Sequence, residues 1–337
     1  MSFDMYADFA SRTACPTDGS LPAGLTSGFV DGCTSWFASK EIERALAEEQ
    51  EKKAHGQAKN QARERKNTAE KEKNAARLRY MERSRASSSP LALPGWLHLD
   101  PPFDWLPDSA WLAFEVTFTL QTPWYSKDDR PFHVLDNPVR KDHVFGVPYL
   151  AAASWKGLLR WTCRMQAGLH DHLAQHGGGL DGWQDSIWIV HLFGNEKGEA
   201  EDFQRGALVF YPTWFDKIGF EVINPHCRGT RAGTQPIYYE VVPAGTVGIL
   251  HLLYAPLPGA AARDKVKPNE AIERLLEAIE ALLTTYGISA KRTAGWGTAS
   301  VSRWTARRQG QTPIQATTFA EFKTTLKPWV NAEARDG

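Results

Sequence analysis

From Trp111 the chain alternates. Leu112, Phe114, Val116, Phe118 and Leu120 are apolar, and Ala113, Glu115, Thr117 and Thr119 between them are small or polar. A period of two predicts a half-buried β-strand. Trp155, Leu158, Leu159, Met165, Leu169 and Leu173 then fall on one helical face, which predicts a helix introduced by Pro148 and capped by Ser154. Strands are expected at 206–215 and 220–223, and a further strand pair, 237–242 with 247–254, turns around Pro243, Ala244 and Gly245. The last strong helix carries Ile272, Leu275, Leu276, Ile279, Leu282, Leu283 and Tyr286 on one face. Asn269 caps it after Pro268, Glu270, Glu273, Glu277 and Glu280 face water, and Gly287 ends it before a strand at 298–304. With the extra strand pair set aside as an insertion, the order is β-α-β-β-α-β. The expected fold class is therefore α+β, with a ferredoxin-like (RRM-like) core. Such a sheet is a common platform for RNA.

The first hundred residues follow another pattern. Residues 1–39 are rich in Gly, Ser and Thr but carry Phe3, Tyr6, Phe9, Phe29, Trp36 and Phe37, and read as an irregular docking arm. Residues 40–90 form a charged helical extension of good helix formers, with almost no large apolar side chain between Leu46 and Leu78. As one helix over 40–86 it would reach about 70 Å. Without a sustained apolar heptad, a coiled coil is not expected. From Lys59 to Arg85 there are ten basic and four acidic residues. A solvated helix and a basic arm touching RNA or a neighbouring subunit both fit that count. A Pro- and Trp-rich connector, 91–110, leads into the main domain, 111–308. A polar tail, 309–337, holds one short amphipathic piece with Phe319, Phe322, Leu326 and Trp329.

Composition narrows the classes. The 337 residues are 42 % apolar and include thirteen tryptophans, enough for a sizeable core. Formal net charge is zero, so contact with nucleic acid must come from local basic patches rather than a global field. Cys15, Cys33, Cys163 and Cys227 are widely spread with no CxxC pair. That argues against a disulfide scaffold or a zinc ribbon and fits a reducing cytoplasm. There is no signal peptide and no apolar run of membrane-spanning length, so no membrane partner is expected.

Candidate chemistry gathers in loops and on one helix. The stretch 287–297 holds three glycines and the adjacent cations Lys291 and Arg292. Loop amides with two cations make a seat for phosphate, and a helix cap followed by a tight turn fits the same residues. Lys156, Arg160 and Arg164 lie at i, i+4 and i+8 and form one basic stripe. Cations near a helix start oppose the macrodipole unless an anion sits nearby. The loop 122–147 is long for a compact domain and polar, which marks a functional insertion. It carries Lys127, Asp128, Asp129, Arg130 and His133, then the run from Asp136 to Asp142. A second polar loop, 224–236, carries Arg228 and Arg231, with His226 and Cys227 read as turn residues. His172 and His176 have helical spacing near His170, but there is no HExxH pattern and no evident third ligand, so no resident metal site is assigned.

Three of these stretches resemble one family. Asp136-Asn-Pro-Val-Arg-Lys-Asp142, continued by Gly146-Val-Pro-Tyr-Leu-Ala-Ala-Ala-Ser-Trp-Lys-Gly-Leu-Leu-Arg160, is similar to D-x-P-x-x-x-(D/E) … G-x-P-(Y)-I-P-G-S-S-x-K-G-x-L-R. Leu192-Phe193-Gly194 matches a short motif after the first helix, and Gly287-Ile-Ser-Ala-Lys-Arg-Thr-Ala-Gly-Trp-Gly297 resembles G-x-G-A-K-x-x-x-G-(Y/W)-G. These are patterns of the RAMP superfamily, whose members build type III CRISPR RNA-guided effector complexes. The resemblance covers about 111–304. It departs at Ala151-Ala-Ala-Ser154, where the family has Pro-Gly-Ser-Ser, and at Ser289, where it has glycine. Asn224-Pro-His226 is closer to end-capping members, and Asp136-Asn-Pro138 to the backbone members that cut target RNA.

The resemblance implies a subunit that binds guide RNA and target RNA beside other RAMP-type subunits. Guide-RNA phosphates would be held by Lys156, Arg160, Lys291 and Arg292, joined by Arg164, Arg228, Arg231, Gly295 and Gly297. Asp136 would be the catalytic residue for cleavage of paired target RNA, assisted by a transient divalent metal such as Mg2+, with His133, Arg140 and Lys141 as helpers. A non-catalytic end-capping or scaffold subunit is the second reading. A stand-alone guide-processing endonuclease is the third. It is weakened because His133 is the one obvious acid/base histidine, with no second histidine in a clear partner role.

Overall fold

The computed structural model describes residues 27–86, 99–129, 133–142, 147–195, 204–224, 229, 237–263 and 265–331. Its helices are α1 Ser27–Lys53, α2 Gly56–Ala86, α3 Ala152–Gln166, α4 Leu169–Gln175, α5 Ile187–Phe193, α6 Ala260–Arg263, α7 Pro268–Ala281 and α8 Phe319–Asn331. Its strands are β1 Leu112–Leu120, β2 Tyr149–Leu150, β3 Leu208–Phe210, β4 Thr213–Trp214, β5 Gly219–Ile223, β6 Ile237–Val241, β7 Val247–Tyr254, β8 Ala299–Arg307 and β9 Ile314–Ala316. They sort into two compact units. The first takes Met1–Ala92, Tyr125–Pro148 and Asp216–Pro243; the second takes Leu93–Trp124, Tyr149–Phe215 and Ala244–Gly337.

In the first unit the charged extension is a helical hairpin rather than one long rod. It begins at Ser27, inside the stretch expected to be irregular, and breaks at Ala54 and His55 before Gly56. Ala62, Ala69 and Ala76, seven apart on α2, are almost fully buried, as is Ala47 on α1. Between these alanines Lys66 and Lys73 reach across to α1, 3.4 Å from Glu51 and 2.9 Å from Glu41. The return pairs are Lys40 to Glu72 at 2.9 Å and Arg44 to Glu70 at 3.6 Å. Arg44 holds the Glu41 carboxyl down to about 2; burial opposes the shift and Lys73 adds to it. So a seven-residue repeat does exist. It is written in Ala and Lys, and a search for large apolar side chains passes over it. At the open end of the hairpin Cys33, Tyr80, Val134 and Leu135 form an apolar cluster with Trp36, Phe37 and Phe220.

The same unit contains the β5–β6 hairpin, in register from Gly219↔Val241 to Ile223↔Ile237. The expected pairing of 237–242 with 247–254 is therefore corrected: β7 has both edges occupied, by β1 and by β3.

The second unit is built on a five-stranded antiparallel sheet in the order β3-β7-β1-β8-β9. β1 lies at its centre, and Phe114, Val116 and Phe118 are buried, as the alternation predicts. α3 packs on α7. The expected strand 206–215 is split: β3 joins this sheet, and β4 pairs with β2 in a separate two-stranded ribbon. The first helix stops at Gln166, because Gly168 (φ +98°) turns the chain before α4. Its cap is Ala151, not Ser154, and that of α7 is Lys267, not Asn269; neither cap uses a side chain, and Pro268 fills the first helical position of α7. After Arg308 the chain adds β9 to the sheet edge and lays α8 along α7. Trp304 stacks on Phe322 at 5.5 Å, and Lys323 bridges Glu273 and Glu277, two of the carboxylates expected to face only water.

Candidate nucleic-acid interface

The glycine-rich loop of the second unit closes on its own neck. α7 runs into one π turn, Leu282–Tyr286, whose end is fixed by the Gly287 N–H donating to Leu282 O at 2.7 Å. The Ile288 N–H donates to Gly297 O at 2.9 Å, and a Cβ on Gly297 would lie 2.4 Å from Ser289 N. Only glycine allows that approach, at φ +87°. Inside the loop the Lys291 N–H donates to Ser289 Oγ, and a short turn, Arg292–Ala294, ends at Gly295. The backbone thus forms a cap and tight turn, and Lys291 and Arg292 are carried on that turn.

Arg292 links this loop to the first helix. Its guanidinium lies 4.5 Å from the centroid of the Trp161 ring, and Tyr286 meets the same ring edge-on at 5.0 Å. Two segments 131 positions apart in sequence therefore converge beside the basic stripe of α3. Arg292 Nη1 is buried and has no hydrogen-bond partner among the described residues. Burial lowers its pKa from the usual guanidinium range. A buried guanidinium donor left without a partner carries a desolvation cost, which the stacking on Trp161 offsets only in part.

The stripe itself holds a partner that the sequence did not reveal. Asp185 accepts from Arg160 Nε and Nη2 at 2.8 and 2.6 Å, from Arg164 Nε and Nη2 at 2.6 and 2.9 Å, and from Trp183 Nε1 at 3.0 Å. Its side chain is 4 % exposed, those of the two arginines 14 % and 17 %. Burial pushes the Asp185 carboxyl up, and the hydrogen bonds from Arg164, Trp183 and Arg160 outweigh it, leaving the pKa below the ordinary aspartate value. Lys156, one turn earlier, is exposed; partial burial and then Arg160 lower its pKa. α3 starts with no acidic residue and no side-chain cap, while Trp155 Nε1 donates to Thr213 Oγ1 at 3.0 Å and fixes the start to β4. A folded-state pKa below the unfolded one adds stability above the unfolded value and loses it as pH falls through the folded value. Asp185→Asn should therefore lower the melting temperature at pH 6–7 and flatten its fall below about pH 4. An unaltered acid limb in thermal melts would refute that role for Asp185.

In the first unit, Asp136 stands exposed between the buried Leu135 and Asn137. Asn137 bridges to Tyr239, its O accepts the Glu240 N–H at 3.0 Å, and its Nδ2 donates to Tyr238 O at 3.2 Å. The expected helpers are differently employed. His133 Nδ1 accepts the Leu135 N–H at 3.1 Å, Arg140 pairs with Asp129 at 3.0 Å, and Lys141 is 1 % exposed beside Glu240. Lys141 cannot reach a strand lying on the surface.

Arg228, Arg231, His226 and Cys227 lie outside the described residues. His172 and His176 stack at 4.0 Å, with Trp183 edge-on to His172. Among the described residues no group of three His, Cys, Asp or Glu side chains is placed to hold a metal ion, and no helix is long and apolar enough to cross a membrane.

A family model of the RAMP superfamily matches residues 117–300, more than half of the chain. The chain belongs to the RAMP superfamily. The matched span runs from inside β1 to the start of β8, so the α1–α2 hairpin precedes it and β9 and α8 follow it. No curated protein matches the sequence. Among solved structures the chain is similar to one in a type III-B Cmr-beta complex bound to cognate target RNA, at 14 % identity and a TM-score of 0.35, over 61 % of this chain and 61 % of that one. It is also similar to chains of a CRISPR RNA-guided surveillance complex, at 17 % identity and TM-score 0.41 over 67 % of this chain and 82 % of that one, and of a pre-nicking form of such a complex, at 14 % and 0.40 over 67 % and 86 %. This RAMP chain spans about three fifths of the Cmr-beta chain. At these scores the likeness is too loose to transfer a site.

Proposed function

We infer that this RAMP protein is an RNA-binding subunit of a type III CRISPR effector complex. It holds guide RNA on the second unit and cuts paired target RNA at Asp136. The observation that carries the reading is the stacking of Arg292 on Trp161, which holds the glycine-rich family motif against the helix that carries the Lys156–Arg160 motif. The sheet supports it: β3, β7, β1 and β8, ordered so and combined with α3 and α7, fit the antiparallel ferredoxin-like arrangement expected of a RAMP core. Lys156, Lys291 and Arg292 would meet phosphates by charge. Guide–target pairing, not side chains, would read sequence.

The target carries its own nucleophile. The 2′-hydroxyl of a splayed nucleotide attacks the adjacent phosphorus and loses its proton to a base, the P–O5′ bond breaks, and the departing 5′-oxygen takes a proton from water, leaving a cyclic phosphate; the chain need only supply the base and hold the in-line geometry. Asp136 is an exposed carboxylate that would suit a transiently held, hydrated Mg2+ rather than a resident metal cage. When bound there, such an ion supplies charge neutralisation at the phosphate. Asp136 then accepts the 2′-hydroxyl proton or orients the ion. The end-capping reading is favoured by the α1–α2 hairpin, which lies outside the family match and exposes Ile42, Leu46 and Leu78.

The first test is to purify the protein with its neighbours and sequence the RNA it carries; repeat-derived guides are expected, and their absence would sink the reading. Replacing Lys291 and Arg292 together by Ala should weaken RNA retention and reduce the slope of log affinity against log salt by about 1.4, two phosphate contacts' worth on a single strand. A double variant with the parent's affinity and slope would remove the glycine loop from the interface.

A further inference from the structure

Three buried side chains meet beneath the Asp136 segment, all within the first unit. Tyr80 comes from α2, Lys141 from the end of the segment, and Glu240 from β6; none is more than 1 % exposed. The Tyr80 hydroxyl donates to Glu240 Oε1, and Lys141 Nζ donates to Glu240 Oε2 at 2.5 Å and to the Tyr80 oxygen at 2.7 Å. Glu240 Oε2 also accepts the Val139 N–H at 3.0 Å. The residues after Asp136 are therefore tied to Glu240 twice, by Asn137 O on its backbone N–H and by the Val139 N–H on its carboxylate. The residues before Asp136, Val134 and Leu135, pack in one cluster with Tyr80, and His133 meets the Tyr80 ring edge-on at 5.1 Å. One foot of the short arch that presents Asp136 thus packs on Tyr80 of α2, and the other hangs from Glu240, which the Tyr80 hydroxyl holds.

We propose that Tyr80 is a positioning residue for Asp136, so that the N-terminal hairpin, outside the span shared with the RAMP family, sets the geometry of the cleavage loop. The proposal rests on the reading of Asp136 as catalytic, and the chemistry of the knot gives the reason. Tyr80 is the one member that both donates to the carboxylate and accepts from the ammonium. Removing its hydroxyl leaves a buried ion pair short of one partner on each side, which water or a shifted loop must then supply. The ring, and with it the packing against Cys33 and Phe220, survives in Tyr80→Phe. This separates positioning from general packing.

Amide hydrogen exchange on the purified full-length protein tests the placement without RNA. Tyr80→Phe should raise exchange at residues 134–141 about tenfold, the equivalent of one lost hydrogen bond, while α2 amides near Ala69 keep their protection. The control is Ala69→Gly, which loosens the hairpin seam away from the knot; it should lower the melting temperature yet leave 134–141 protected. Parent-like exchange at 134–141 in Tyr80→Phe, or equal deprotection in Ala69→Gly, would overturn the proposal. In the assembled complex, Tyr80→Phe should slow single-turnover cleavage about 10- to 100-fold with target affinity unchanged. An unslowed rate would overturn it as well, provided Asp136→Ala abolishes the same cut. If Asp136→Ala cuts normally, the catalytic reading fails on its own evidence, and the exchange arm still decides whether Tyr80 holds the loop.

Discussion

Asp136→Ala leaves the protein folded, assembled and loaded with RNA, and removes one cut in the target. The two halves of that expectation have separate grounds. Among the described residues the Asp136 side chain makes no hydrogen bond or ion pair, and the residue is exposed. An exposed carboxylate of that kind contributes within about 0.5 kcal/mol to stability. The backbone around it is held by its neighbours: Asn137 on β6, Val139 on Glu240, and Leu135 in the apolar cluster. Nothing in that scaffold needs the carboxylate, which leaves it free for chemistry. Loss of a base or ion-orienting group in a proton transfer costs about 10²- to 10⁴-fold in rate, and a cut slowed that far vanishes from a gel. Asp136→Asn, which keeps the shape, should lose the same cut. Products unchanged in both variants would leave the end-capping reading in possession.

The parts of this molecule that were legible in the sequence are those where one side chain type repeats along one element. The alternation from Leu112 to Leu120 marked β1 because one face of a central strand must be apolar. The helical face of α7 was equally plain, and the glycine spacing marked the loop after it. What escaped was whatever depends on a distant partner. Asp185 follows Asp181 after a run of glycines, and nothing local says that it is the one to clamp Arg160 and Arg164. Tyr80 and Glu240 are 160 residues apart. The hairpin seam was hidden for another reason: its repeat is carried by Ala and Lys, which read as surface in any pattern keyed to large apolar side chains. Trp161 did leave a signal. It follows Arg160 and lies off the apolar face set by Trp155, Leu158 and Leu159, and an aromatic ring on the wrong side of a helix asks for a partner. Arg292 is that partner.

Glu240→Ala should be among the most damaging single substitutions in the protein. It takes from the Lys141 ammonium, 1 % exposed, the carboxylate that balances its charge, and it removes the acceptor of the Val139 N–H. Breaking a buried pair from one side costs about 3–5 kcal/mol, because the remaining charge has lost its water and gained nothing. Burial, and then the neighbouring Glu240, push the Tyr80 hydroxyl well above its ordinary pKa, so it stays a neutral donor and cannot take over the charge. Replacing both ions with apolar residues of similar volume, as Lys141→Met with Glu240→Leu, should cost less than Glu240→Ala alone, because no buried charge is left over. Urea unfolding of Lys141→Met, Glu240→Leu and the double measures the coupling directly. A Glu240→Ala midpoint close to the parent's would mean that water reaches the site and that the knot is not dry. A double variant that is stable yet shows fast exchange at 134–141 would separate two roles: the ions would then serve to hold the Asp136 arch in one geometry, and the free energy of folding would come from the apolar cluster around them.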